Sequence, residues 1–339
     1  CHIEGRLALS ELGEPSHTDS RSIWLIPKGI NLYVSNSIID SIDGRVGVFP
    51  PDWETVFSCE VRFERCTSGY VHLMDCEFEE RVSFRGTIFR EGGRFDRCTF
   101  SKDVDFVCAV FQDITTFFEA HFAYSVCFWD AVFEASAQFN YSSFQFADFT
   151  NATFRKFASF SNVNFNGRVR FRNVRFERGA ICDGTSFRYA YDEASLFLAI
   201  WKGWEDTGNV ILADRYFYKY LVAERKQKPL IVQMLEFTLV DLTCAYGTSW
   251  ERVVGTWGVV ILVSTLIFWL GKGIEHADHE GPIRSISLSL YFSIVTFTTL
   301  GYGDYRPRGK YKILASIVAM AGAFMMALFV AVFVRRFMR

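Results

Sequence analysis

Phenylalanine recurs at positions 78, 84, 89, 95, 100, 106, 111, 117, 122, 128, 133 and 139, with spacings that alternate between six and five. The series runs on through 144, 149, 154, 160, 165, 171, 176 and 187, with one run of plain fives. A period near ~5.5 fits neither an α-helix at 3.6 nor a simple strand at 2. A fixed long period argues for a solenoid. Two residues before many of these rings stands a small or β-branched residue: Cys76, Val82, Cys98, Val104, Ala131, Ala137, Ala147, Ala152, Ala158 and Val169. Arg, Glu, Asp, Asn and Ser fill the positions between. The physical solution is a four-sided β-helix. Each side takes one five- or six-residue unit, with the ring and the small residue pointing in. Four sides make a coil of about 22 residues, so that each ring stacks on the ring one coil away. Residues 78–187 then give about five coils, roughly 24 Å of rod at the ~4.8 Å spacing of paired strands. Each buried ring contributes on the order of 2–3 kcal/mol.

This stretch resembles the pentapeptide-repeat family, although it departs from a strict five-residue rhythm. The resemblance implies a right-handed quadrilateral β-helix over 57–190. Some members mimic DNA and inhibit topoisomerases, which needs an acidic rod. Arg81, Arg85, Arg90, Arg94, Arg97, Arg168, Arg170, Arg172, Arg175 and Arg178 argue against that role. A rigid scaffold or gating platform is expected instead, because function must be argued from a site. The chain's formal net charge of −2 does not suit a nucleic-acid binder. Its nine cysteines show no zinc or disulfide spacing. They read as reduced thiols in the cytosol, those in the repeat being small core residues.

Residues 1–56 read as a loose tail followed by a cap on the β-helix, with short β-like runs at 30–34 and 38–42. No secretory leader is expected. The chain starts at Cys1, which suggests missing N-terminal residues, and Ile3-Glu4-Gly5-Arg6 spells a protease-cleavage tetrapeptide. The phenylalanine period stops near 187. Residues 191–229 read as a helical hairpin linker: a first helix beginning at Asp192 and Glu193, a break at Thr207-Gly208-Asn209, and a second helix over 210–226. Its aromatic faces are expected on the rod's open end, on each other or on a neighbouring subunit. Residues 230–250 are apolar but carry Gln233, Glu236 and Asp241. They are expected as an amphipathic helix at the membrane surface, linking the rod to the first span.

The last ninety residues carry the second informative feature. The segments 253–271 and 312–334 are each long and apolar enough to cross a ~30 Å core. Between them 283–297 is too short to cross and reads as a re-entrant pore helix. It leads into 298–304, Thr-Thr-Leu-Gly-Tyr-Gly-Asp. A dehydrated cation needs a ring of oxygens. Consecutive carbonyls supply it when left- and right-handed residues alternate, and glycine enters the left-handed state cheaply. Gly301 and Gly303 sit at alternate positions, and the Thr299 hydroxyl offers a further oxygen.

Thr299 to Asp304 resembles the potassium-channel signature Thr-Val-Gly-Tyr-Gly-Asp, with Leu300 in place of valine. The resemblance implies a homotetramer, with K+ held by the carbonyls of Thr299, Leu300, Gly301 and Tyr302 and with Gly303 completing the strand. Thr298, Asp304 and Val295 are expected to support it. Gly322 lies where the family often has a hinge glycine, and close helix packing is the competing reading. Where one subgroup places a pore-helix glutamate this chain has Val295; where others place a tryptophan it has Tyr291 and Phe292. Asp304 is therefore left without an obvious partner. Residues 275–280, with His276 and His279, read as a solvated outer loop rather than a metal or pH site.

The whole is expected to be a multidomain membrane protein, not an enzyme, since no nucleophile–base pair, metal triad or phosphate loop is visible. The pore domain, 251–339, is expected to be all-α with two spans. It would conduct K+ passively in the cell membrane among lipids, with both termini cytosolic and no cofactor beyond the ions. Direct voltage sensing of the arginine-striped kind is not expected. The alternatives are a sensor module, with a protein or ligand bound at the β-helix and the channel as its output, or a less selective cation channel.

Overall fold

The computed structural model describes residues 54–278 and 281–337, together with the backbone of five strands between His2 and Asp43. Two compact units divide the chain, Cys1–Gln227 and Lys228–Arg339.

The first unit is a β-solenoid of about six turns over residues 56–187. Parallel strands pair at a one-coil offset, as in Phe89↔Phe111 and Phe111↔Phe133. The rings form four stacked columns. One runs Phe57–Phe78–Phe100–Phe122–Phe144–Phe165–Phe187, with centroids 4.6–5.4 Å apart. A second runs Phe63–Phe84–Phe106–Phe128–Phe149–Phe171 at 4.9–5.8 Å. The others are Phe89–Phe111–Phe133–Phe154–Phe176 at 4.5–4.9 Å and Phe95–Phe117–Phe139–Phe160 at 4.8–4.9 Å. These separations follow the distance between paired strands, so backbone pairing and ring stacking share one repeat. The predicted stack is borne out, and Phe57 and Phe63 carry it one coil earlier than residue 78.

The corners explain the five–six alternation. Most five-residue sides begin with a tight turn in which the amide three residues on donates to the ring residue's carbonyl. Thr87 N–H reaches Phe84 O at 3.1 Å, Ala109 N–H reaches Phe106 O at 3.0 Å and Ala120 N–H reaches Phe117 O at 3.2 Å. The third residue is left-handed each time: Gly86, Cys108 and Glu119 have φ of 67°, 56° and 55°. That is the pattern of a type II turn. Arg97, Asp130, Tyr141, Asn151, Asn162 and Asn173 hold the same place. The six-residue sides spend their extra residue instead of such a turn. The run of plain fives also has a cause. Strand His121–Cys127 is bulged between Phe122 and Ser125 against Ser143–Asp148, so the later coil is one residue shorter.

Of the tail and cap expected before residue 57, the β-like runs at 30–34 and 38–42 are strands Leu32–Ser35 and Ile38–Asp43, and they continue the solenoid. Leu32–Ser35 pairs in parallel with Val61–Glu64, and Ile38–Asp43 with Thr67–His72. Arg21–Ile26 pairs with Glu54–Phe57.

At the far end the solenoid is closed by helix α1 (Ala190–Asp206) and helix α2 (Val210–Arg225). Trp204 Nε1 donates to Ala180 O at 2.8 Å, and the Cys182 amide donates to the Tyr216 hydroxyl at 3.0 Å. Leu196, Phe197, Ile200 and Tyr216 join the ring core. Of the three predicted destinations, the aromatic faces take the rod's end and each other. A Cβ on Gly203 would sit 2.2 Å from Phe176 O, so only glycine lets α1 lie this close.

In the second unit α3 (Leu230–Glu236) passes through a π-turn at Phe237–Asp241 into α4 (Leu242–Cys244) and ends at left-handed Ala245 and Tyr246. Three longer helices follow: α5 (Trp250–Leu270), α6 (Ile286–Phe297) and α7 (Tyr311–Phe337). Ser249 caps α5 by accepting from Arg252 N–H at 3.3 Å. The short helix begins at 286 rather than the expected 283, because Ser285 is still extended at φ −129° and ψ 128°. Leu230–Gly247, Trp250–Leu270 and Tyr311–Arg335 are all apolar and long enough to be membrane-capable, with mean hydropathy 1.3, 2.2 and 2.7. The first exceeds the sequence-based expectation of two such helices.

Candidate functional site

The loop between α6 and α7 is built from how α6 stops. Leu300 N–H donates to Val295 O at 3.1 Å, and Thr299 N–H to Thr296 O at 3.1 Å. These two bonds, with a left-handed residue between helix and loop, make a Schellman stop. Its left-handed position, usually glycine, is held here by Thr299 at φ 58°. For a β-branched residue this is a true outlier. Thr298 Oγ1 donates to Ile294 O at 2.8 Å, and Thr299 Oγ1 to Thr298 O at 2.7 Å.

Beyond Thr299, Gly301 and Gly303 are also left-handed, at 56° and 81°, whereas Leu300 and Tyr302 are not. Left-handed residues thus fall at 299, 301 and 303. Such alternation turns successive amides to one side and carbonyls to the other. Leu300 and Tyr302 are 59% and 68% exposed, so most of their surface is left uncovered by the rest of the chain.

The residues expected to support the loop are bonded largely through backbone. Val295 is buried, and its carbonyl receives Leu300. Asp304 is better partnered than its sequence suggests. The Tyr291 hydroxyl lies beside its carboxylate, its Oδ1 accepts from Tyr305 N–H at 3.1 Å, and its carbonyl accepts from Ala277 N–H at 2.9 Å. A two-stranded ribbon, Ile274–His276 against Tyr305–Pro307, holds this exit. The His276 ring meets Tyr305 edge-on at 5.3 Å and lies 3.8 Å from Asp278. Among the described residues no cluster could hold a metal ion; His279 and Glu280 lie outside them.

Gly322 lies where α7 crosses the end of α6. A Cβ there would come 1.8 Å from Phe297 O, so the observation favours close packing over a hinge. Trp257 bridges Phe297 and Phe329 at 5.9 and 5.2 Å, tying the three helices together. Upstream, Arg252 Nη1 donates at 3.0 Å to both Oδ1 and the carbonyl of buried Asp241. Lys228 pairs with Glu236 at 2.7 Å. Sequence reasoning missed both pairs, the Tyr291 contact and the left-handed Thr299. Only the charge of Glu236 and Asp241 in an apolar run signalled any of them.

Comparison with known proteins agrees with this division. Residues 255–339 match the ion-channel family model, and residues 63–107 and 139–186 match pentapeptide repeats. The A-type voltage-gated potassium channel KCND3 of Rattus norvegicus and that of Homo sapiens are each 38% identical over 81 residues, 24% of this chain and 12% of the relative. The chain thus spans about an eighth of the length of the curated relatives it matches.

Proposed function

We propose that this chain, an ion-channel domain following pentapeptide repeats, forms a potassium-selective pore from four copies. K+ exchanges its water for the carbonyls of Thr299, Leu300, Gly301 and Tyr302, while Gly303 completes the strand. The single observation that carries the reading is the alternation of left-handed residues at 299, 301 and 303. The exposed Leu300 and Tyr302 agree with packing against other copies around an axis. Thr298, Val295 and Asp304 hold the loop through the bonds described above. Selectivity should survive Leu300, since only its carbonyl faces the ion.

Only α5 and α7 are read as spans. Leu230–Gly247 qualifies by overall length and composition, but its regular helix stops before left-handed Ala245 and Tyr246; the part up to Cys244 is about 22 Å long at 1.5 Å per residue, short of a ~30 Å core. Its Asp241 is buried and its Gln233 and Glu236 are half-buried, while Leu230, Ile231, Met234, Leu235 and Leu239 are exposed, as suits a helix lying in lipid headgroups. Both termini then share one side, which we assign to the cytosol of the cell membrane.

The deciding experiment is recording from purified protein in planar bilayers with potassium on one side and sodium on the other. Reversal near the potassium equilibrium potential is expected. Reversal near zero would favour a less selective cation pore, and absence of fourfold particles would remove the assembly. The solenoid is read as a platform that assembles or gates the pore. The rival reading is a sensor with the channel as its output. Deleting residues 1–227 separates them, because α1 and α2 belong to the first unit and a cut at 190 would leave its core open. Unchanged tetramers and gating would make the solenoid dispensable to both.

A further inference from the structure

The first unit holds a cleft of about 970 Å³ between the coil 168–174 and one face of α1. Alternation along the coil buries Val169 and Phe171 and turns Arg168, Arg170 and Arg172 outward. Lys202 stands on the α1 wall. Two carboxylates also face the cleft, and both are engaged. Asp148 takes Arg170 at 3.2 Å, and Asp192 accepts the Val169 amide at 3.1 Å, close enough that its charge is felt by Arg168 and Arg170. Arg172 and Lys202 form no ion pair among the described residues. At the rim stand two tyrosines. Tyr189 is 40% exposed, with the guanidinium groups of Arg168 and Arg188 at 5.5 and 5.8 Å from its ring centre. Tyr191 is 70% exposed.

Uncommitted cations from two elements, facing one volume, suit an anion with several oxygens. Exposed tyrosine faces beside them suit a flat ring, because a base of any identity can stack on such a face. The volume lies within the range of about 300–1,000 Å³ common to small-molecule sites. We propose that this cleft binds a nucleotide, with its phosphates on Arg172 and Lys202 and its base on Tyr191. The assignment is independent of the pore reading, since it concerns the first unit alone. A ligand here touches the last coils and α1 together and therefore clamps the solenoid's closed end.

The test is calorimetry on the purified full-length chain with ATP, AMP and pyrophosphate at low and moderate salt. ATP is expected to bind more tightly than AMP and to weaken as salt rises. The double variant Arg172→Ala/Lys202→Ala should weaken ATP at least tenfold. Tyr191→Ala should weaken ATP several-fold and leave pyrophosphate unchanged. All three side chains are exposed, and unchanged thermal midpoints would confirm intact folding. No binding of any probe at millimolar concentration would overturn the assignment. So would ATP binding that ignores the double variant, or capture by anionic lipid vesicles without nucleotide binding. Pyrophosphate binding as tightly as ATP would overturn the role of the tyrosine.

Discussion

Replacing Phe117 by alanine asks whether the ring columns act as continuous stacks or as an undifferentiated apolar filling. Phe117 is fully buried. It stacks on Phe95 and Phe139 at 4.9 Å each and meets Phe106, Phe111 and Phe128 edge-on at 5.7, 6.4 and 5.7 Å. Truncating a buried Phe costs about 3–5 kcal/mol. Stacked and edge pairs add about 0.5–1.5 kcal/mol each beyond area. A site that loses both stacking partners at once belongs at the top of the first range, ~5 kcal/mol. Phe187, at the end of a different column, the one that begins at Phe57, is only partly buried, with one stacked neighbour, Phe165 at 5.0 Å, and one edge contact, Phe197 at 6.2 Å. Its loss should cost about 2–3 kcal/mol. The gap of ~2 kcal/mol is about a 30-fold difference in opening constant. Hydrogen exchange with mass spectrometry on the full chain reads it directly. Amides flanking residue 117 should exchange about 30-fold faster in Phe117→Ala than those flanking 187 do in Phe187→Ala, each relative to wild type. Equal acceleration, or a larger effect at 187, would refute the cumulative column and leave stability in the backbone ladder alone.

Glu119→Gly should raise the thermal midpoint of the first unit. Left-handed backbone costs a side chain about 1–2 kcal/mol, and glycine's extra unfolded freedom returns about 0.5–1 of it. Gly322→Ala is a test of sign: a hinge in open space would gain up to about 1 kcal/mol of helix stability. Against the Phe297 carbonyl it should lose about 1–3 kcal/mol, read as fewer assembled particles on gel filtration. Burial pushes the Asp192 carboxyl above its ordinary 3.8 despite the Val169 amide. The folded chain therefore binds this proton more tightly than the unfolded chain, and stability from this group rises as pH falls from the raised value toward 3.8. Asp192→Asn should abolish that part of the pH dependence in thermal melts. Alkylation at pH 8 should label exposed Cys108 first and spare Cys182, a buried thiol pushed up to about 12 by loss of solvent.

The solenoid was legible because one large residue type marks every side and its period matches neither helix nor strand. Its corners were not. Arg97, Cys108, Glu119 and Tyr141 are poor formers of left-handed turns. They adopt that state because the coils above and below fix the backbone register, which overrides local preference. The strands before residue 57 lack the phenylalanine marker, so only the β-like runs at 30–34 and 38–42 were read there, as part of a cap, and their place in the solenoid's register was not. In the second unit Gly301 and Gly303 announced their own conformations, whereas Thr299 takes its left-handed state from the ending of α6. The contact between Tyr291 and Asp304 depends on a chain reversal through the 274–276 and 305–307 ribbon, so no local pattern records it. The start of α6 was misjudged by three residues, because nothing in Ile283-Arg284-Ser285 marks the boundary: no proline or glycine separates them from Ile286, and Ser285 is nevertheless extended.

The Schellman stop has a mechanical consequence for the proposed pore. The two hydrogen bonds that finish α6 would also aim the first peptide of the proposed conduction path. Fraying of that last turn and misdirection of the Thr299 oxygen are then a single event. Whatever strains the terminal turn from outside, whether bilayer tension or a shift of α7 at Gly322, acts on permeation without touching an ion. Loss of current under such strain would then precede any loss of assembly.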